Sequence, residues 1–226
     1  MKNMNIAIDG PAGAGKSTVA KMVADQLSYV YIDTGAMYRA VTYEALKQNV
    51  DVNDGLNLIH LLHQLKIDLM NQEGKQIIQV NGVNITEEIR SKAVTNQVSY
   101  VAKHLEIREE MVKRQQELAE GGGTVMDGRD IGTAVLPFAE LKIFLTASVD
   151  ERAKRRHEEL LSKGHPSDLN ILKNEIRKRD QIDSEREVAP LKKATDAIEI
   201  DSTKMTIPEV VEIILSLARE RKDMMK

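Results

Sequence analysis

Short apolar runs alternate along this chain with longer stretches of helical periodicity. Strands are predicted near residues 4–9, 29–33, 124–127, 141–146 and 196–200, and helices near 16–27, 36–48, 105–120, 150–163, 168–185 and 207–221. Met4-Asn5-Ile6-Ala7-Ile8-Asp9 reads as a buried strand, and Val19, Ala20, Val23, Ala24 and Leu27 then recur on one helical face. Strands and helices alternating in this way build a parallel sheet covered on both faces, so the fold class is α/β with a three-layer core. Two helix starts carry capping signals, because Ser148-Val149-Asp150-Glu151 and Thr206-Ile207-Pro208-Glu209 both fit S/T-x-x-E.

The rhythm breaks between about Leu65 and Val101. Gln76 to Val80 and Val83 to Ile85 are strand-like on either side of Asn81-Gly82, a strong two-residue hairpin signal, so a small antiparallel insert followed by a helix is expected there. The predicted organisation is therefore a core of residues 1–64 and 102–226, an insert of 65–101, and a charged helical region of 151–190 within the core. An insert of this size suits covering a ligand.

Composition narrows the chemistry. The 226 residues include no cysteine, which removes disulfides, thiolate catalysis and cysteine zinc sites and makes a reducing cytoplasm the natural setting. Among the five histidines, His60 and His63 could share a helix face but lack a third ligand, so solvated positions are expected. The formal net charge of −3 argues against a nucleic-acid partner. No apolar run is long enough for a membrane helix, no signal core is evident, and no dimer seam stands out, so a monomer is expected.

Gly10-Pro11-Ala12-Gly13-Ala14-Gly15-Lys16-Ser17 completes G-x-x-x-x-G-K-[ST] directly after the first strand and opens the first helix. That context makes it a phosphate-binding loop. Its glycines let backbone N–H groups face an anion, Lys16 reaches the outer phosphates, and Ser17 can hold Mg2+. Thr18 completes the first helical turn, where the dipole favours negative charge.

In parallel sheets ligands bind beyond the carboxyl ends of the strands, and two further motifs stand at such ends. Asp33-Thr34-Gly35-Ala36-Met37-Tyr38-Arg39 follows the second strand, and Asp127-Gly128-Arg129-Asp130-Ile131-Gly132-Thr133 follows the third. Arg39 and Arg129 offer planar forks for a phosphate. Asp127 and Asp130 can accept from a sugar or base, or hold magnesium through water. The alternative, that each Asp caps a helix and each Arg pairs with a nearby carboxylate, does not predict their clustering at one sheet edge. Downstream, Arg179, Asp183 and Arg186 share a helical face, which suits an ion-paired helix as well as a ligand. Arg152, Arg155 and Arg156 share another, open to solvent or to a phosphate-covering flap. Asp201-Ser202-Thr203, after the last strand, is a candidate adenine contact by position.

Taken together, the loop, the two strand-end motifs, Arg179-Asp180 with Asp183 and Arg186, and Ala189-Pro190-Leu191 resemble the bacterial cytidylate (CMP) kinases over nearly the full length. The resemblance implies a P-loop kinase core, a nucleoside-monophosphate-binding insert at 65–101 and a mobile helical lid, with MgATP as donor and CMP or dCMP as acceptor between core and insert. ATP would occupy Gly10 to Thr18. Arg39 and Arg129 would hold the CMP phosphate, with Thr34 and Tyr38 lining its pocket. Asp183 with Arg179 would read the ribose, and Ser99, Arg108, Asp130 and Arg186 the cytosine. Lys16 and Arg129, with the lid arginines Arg152, Arg155 and Arg156, would neutralise the transferred phosphoryl group. Thr34 stands where serine is also common in the family, and Ser184 where some members carry arginine; neither change removes a role. A kinase of UMP or AMP shares most of these features. A regulatory P-loop ATPase or GTPase is the reading from another class, although the guanine-reading N-K-x-D is absent.

Overall fold

The computed structural model describes residues 3–72 and 75–224. Packing divides the chain into two compact units, one running up to Tyr31 and resuming at Gly121, the other spanning Ile32–Glu120.

The first unit is built on a five-stranded sheet. Its strands are β1 (Asn5–Asp9), β2 (Val30–Asp33, which enters from Val30 and Tyr31), β6 (Thr124–Gly128), β7 (Leu141–Thr146) and β8 (Ile198–Asp201), in the order β2-β6-β1-β7-β8. The central strand β1 runs parallel to both neighbours, with Asp9 opposite Gly128 of β6 and Phe144 of β7. Strands buried on both faces need continuous apolar character, and Ile6, Ala7 and Ile8 are fully buried. Helix α1 (Lys16–Leu27) lays Val19, Ala20, Val23 and Ala24 onto one face. Beside it α8 (Ile207–Met224) contributes Val210, Val211, Ile214, Leu215 and Ala218 to the same core. Strand β8 begins two residues later than expected, because Ala197 N–H turns back to Ala194 O and Asp196 pairs with Lys142.

Helices α6 (Val149–Ser162) and α7 (Leu169–Glu185) form a hairpin with a small core of Ala153, Leu172 and Ile176. The anticipated cap at Ser148 forms, its Oγ accepting from Glu151 N–H at 3.2 Å. At α8 the reciprocal half of the box forms instead, with the Glu209 carboxylate accepting from Thr206 N–H at 2.8 Å.

The second unit holds α2 (Thr34–Lys47), α3 (Gly55–Gln64), α4 (Lys92–Val101), α5 (Leu105–Ala119) and an antiparallel sheet of β3 (Ile67–Gln72), β4 (Lys75–Val80) and β5 (Val83–Asn84). The turn at Asn81-Gly82 has φ of 50° and 80°, the left-handed pair that a tight hairpin requires. Helix α3 and strand β3 were not anticipated. Helix α3 is capped by Asp54, which accepts from Asn57 N–H at 3.1 Å, and it leaves His60 and His63 exposed. Strand β3 is held by register with β4, Ile67 facing Val80 and Leu69 facing Ile78. The unit is wider than the 65–101 segment because α2, α3 and α5 send Met37, Leu58, Leu62, Ile107 and Met111 into the same core as Ile78 and Val80.

Candidate active site

The phosphate loop is forced into shape by two close constraints. A Cβ on Gly10 would come within 1.9 Å of Leu145 O, so only glycine lets the end of β1 lie this close to β7. Gly15 has φ of 90° and begins α1, which leaves Ser17 and Thr18 exposed on the first turn. Lys16 folds back over the loop, donating Nζ–H to Pro11 O at 2.8 Å, and is only 5% exposed. Burial and the nearby Arg129 draw its ammonium well below the usual lysine range, with Arg179 acting in the same sense and Asp127 and Asp9 opposing. An anion at the loop acts in the opposite sense, raising it.

Asp127 is the last residue but one of β6, the strand beside the loop. One oxygen accepts from Ser17 Oγ–H at 2.9 Å and the other from Tyr31 Oη–H at 2.9 Å. A hydroxyl and a carboxylate held side by side at a phosphate loop form a hard-oxygen set of the kind magnesium uses alongside phosphate and water.

Next to it lies an arginine cluster. Arg129 Nε–H donates to Asp183 at 2.9 Å, Arg179 Nε stands 4.0 Å from the same carboxylate, and Arg186 reaches Asp130 at 3.5 Å. Burial opposes charge on Asp183, but Arg129, Arg179 and Arg186 outweigh it and hold the carboxyl below the ordinary range. Asp183 is thus an ionised acceptor among guanidinium groups.

The three arginines of α6 diverge. Arg152 is buried, donating to Ala147 O at 2.9 Å, to Ala12 O of the loop at 3.0 Å and, as a fork, to Asp180 at 3.0 and 2.7 Å. Arg155 donates to Ser202 O at 2.7 Å, near Gly15. Arg156 pairs with Glu159 on its own helix. Of the first unit's candidates, Lys16, Ser17, Asp127, Arg129, Asp130, Arg152, Arg155, Arg179, Asp183 and Arg186 thus join contacts or charge pairs around the loop, whereas Arg156 faces outward.

Within the second unit, Asp33 caps α2 by accepting from Ala36 N–H at 2.8 Å and pairs with Arg39 at 2.8 Å. The buried Nε–H of Arg39 makes no hydrogen bond. Thr34, Tyr38 and Ser99 are buried, and the Arg108 guanidinium lies 5.6 Å from the centre of the Tyr38 ring while donating to Ala102 O at 3.1 Å.

Sequence reasoning passed over Tyr31, Asp33 as a partner of Arg39, and Asp9. Tyr31 and Asp33 belong to the second strand's run and were readable from their position at its carboxyl end. Asp9 accepts from Ile131 N–H at 2.8 Å and Gly132 N–H at 2.7 Å. Burial, only partly offset by those two amides, pushes its pKa up to about 7.

No described helix is long and apolar enough to cross a membrane. A solved structure of an uncharacterized protein from Eubacterium ventriosum is similar in fold at a TM-score of 0.52, with 13% identity over 97% of this chain and 99% of that one. A cytidylate kinase from Anoxybacillus flavithermus is 64% identical over 220 residues, 97% of this chain and 98% of its own length. One from Bacillus cereus is 60% identical over 216 residues, 96% of each. The family model for cytidylate kinase matches residues 6–220, and the chain belongs to the cytidylate kinase family.

Proposed function

We propose that this kinase transfers the terminal phosphoryl group of MgATP to CMP or dCMP, giving ADP and CDP or dCDP. The observation that carries the reading is Lys16, buried at the phosphate loop within the field of Arg129, Arg179 and Asp127, in a chain whose relatives are cytidylate kinases. A monophosphate has a second pKa of about 6, so its attacking oxygen is already mostly ionised at neutral pH and needs little base assistance. The remaining task is to align two anions and neutralise charge on the transferred group.

In this reading Gly10 to Thr18 bind ATP, and Lys16 meets its outer phosphates. Ser17 and Asp127 are the residues that would hold Mg2+, which when bound neutralises phosphate charge and orients the oxygens it touches. Arg39, through its buried unbonded Nε–H, and Arg129 bind the acceptor phosphate, with Thr34 and Tyr38 beside it. Asp183, kept ionised and flanked by Arg179, accepts from ribose hydroxyls. Ser99, Arg108, Asp130 and Arg186 read cytosine. Arg155 and Arg156 serve the phosphoryl group as the α6–α7 lid closes, and Arg152 supports the loop from behind through Ala12. The same reading makes the enzyme a cytoplasmic monomer, and sedimentation of the purified chain checks the monomer.

The test is ADP release coupled to NADH oxidation over a panel of CMP, dCMP, UMP, AMP and GMP. CMP and dCMP should be the best acceptors. Faster turnover with UMP or AMP overturns the acceptor assignment, and ATP hydrolysis that acceptors do not stimulate overturns the kinase reading.

A further inference from the structure

Asp130 begins the π-helical turn Ile131–Val135 without capping it: its side chain makes no cap hydrogen bond and instead faces Arg186. The first amides of that turn are satisfied from another strand. Asp9, at the end of β1, receives Ile131 N–H at 2.8 Å and Gly132 N–H at 2.7 Å, one on each carboxylate oxygen. Asp and Ser ordinarily cap the helix they begin; here the cap comes from 122 positions away, while the carboxylate of Asp130 pairs with Arg186.

The support behind Asp9 is rigid. β1 is hydrogen-bonded on both sides, with Asp9 itself in register with Gly128 and Phe144, and Gly10 follows against Leu145 O. The turn is confined on its far side too. A Cβ on Gly132 would lie 3.1 Å from Lys142 Cδ and 3.4 Å from Asp9 Oδ2, and Lys142 is tethered to Pro137 O and Asp196. The charged groups facing Asp9 are Asp130 from the turn and Lys16 from the loop, with Lys142 across Gly132.

We propose that Asp9 is a positioning residue for acceptor specificity: by capping the Ile131–Val135 turn in place of Asp130, it fixes the Arg129–Asp130 pair against the root of the phosphate loop. The inference rests on the reading that Arg129 and Asp130 bind the acceptor. A carboxyl group that gives one oxygen to each of two backbone amides is poorly replaced by an amide, which has one acceptor oxygen and turns its NH2 toward the second N–H.

The experiment is steady-state kinetics of the full chain and its Asp9→Asn variant with CMP and UMP. Loss of one of the two buried hydrogen bonds, with an amide N–H left unmet, predicts a fall in kcat/KM for CMP of about tenfold to a hundredfold. The CMP-over-UMP ratio should shrink by about tenfold while KM for ATP stays within about threefold. A variant that merely lost folded protein would lose both acceptors by one factor, so an unchanged ratio overturns the proposal. Wild-type enzyme without a CMP preference overturns the acceptor reading itself, which separates the two failures. Should Asp9→Asn not fold, Gly132→Ala presses on the same contact from the other side. The same ratio then decides: shrinkage supports the proposal, and constancy overturns it.

Discussion

Replacing Asp9 should change how stability depends on pH in a direction opposite to most carboxylates. Asp9 is 4% exposed, and burial raises its pKa from 3.8 to about 7. The folded state therefore holds a proton that the unfolded state has released throughout the window between those values. Stability from this group is complete below the unfolded pKa and is lost as pH rises through the folded one. Each pH unit inside the window is worth about 1.4 kcal/mol, and rounding near the folded pKa leaves a loss of about 2 kcal/mol between pH 5 and pH 7. Asp9→Asn carries no proton to lose. Relative to wild type, its Tm should climb by about 4–8 °C over that interval, as expected for a chain of this length. Differential scanning fluorimetry of both proteins in matched buffers at pH 5, 6 and 7 measures the difference, and shared titrations cancel. A Tm difference that is flat with pH, or a carbon-13 carboxyl titration of Asp9 centred near 4, would refute the reasoning.

Three other outcomes follow from the site. Lys16→Ala should lower kcat by about a hundredfold or more while leaving Tm unchanged or higher, because a buried ammonium is removed; coupled kinetics and thermal melts check both halves. Asp127→Asn should raise the Mg2+ concentration for half-maximal activity at least about tenfold, since one of the two hard-oxygen donors loses its charge; a magnesium titration at saturating nucleotide measures it. Arg152→Ala should destabilise the fold by about 3 kcal/mol, as Asp180 and Ala12 O lose a buried fork, and Arg152→Ala with Asp180→Asn together should lose less than the sum of the two; urea denaturation supplies the cycle.

What could be read from the chain and what could not divides along sequence distance. The phosphate loop lies within eight consecutive residues between a strand and a helix, and Asn81-Gly82 and Ser148 act on neighbours two or three positions away, so each carries its own signal. Strand β3 carries almost none. Asp68, Asn71 and Gln72 have poor strand propensity, and what holds Ile67–Gln72 extended is pairing with β4 together with Lys66 N–H donating to Asn81 Oδ1 at 2.8 Å. The width of the second unit was hidden for a similar reason, since no local pattern shows that Leu58 and Met111 share a core with Ile78.

The arginines of α6 sharpen the point. Periodicity puts Arg152, Arg155 and Arg156 on one face and so suggests one task, yet their partners are a loop carbonyl with Asp180, the backbone of Ser202, and Glu159. A helix face fixes direction, while the partner is chosen by whatever the rest of the fold brings to it. Asp9 is the extreme case. As the last residue of an apolar strand it resembles an ordinary strand terminus, and the two amides that give it a purpose lie in a turn that no local pattern marks. Where a chain of net charge −3 concentrates Lys16, Arg129, Arg179 and Arg186 around one sheet edge, the carboxylates between them have to be placed as deliberately as the cations. Asp183 is kept ionised by its neighbours and Asp9 is brought close to neutrality by burial, so two carboxylates within one sheet's reach are set for different tasks by environment alone.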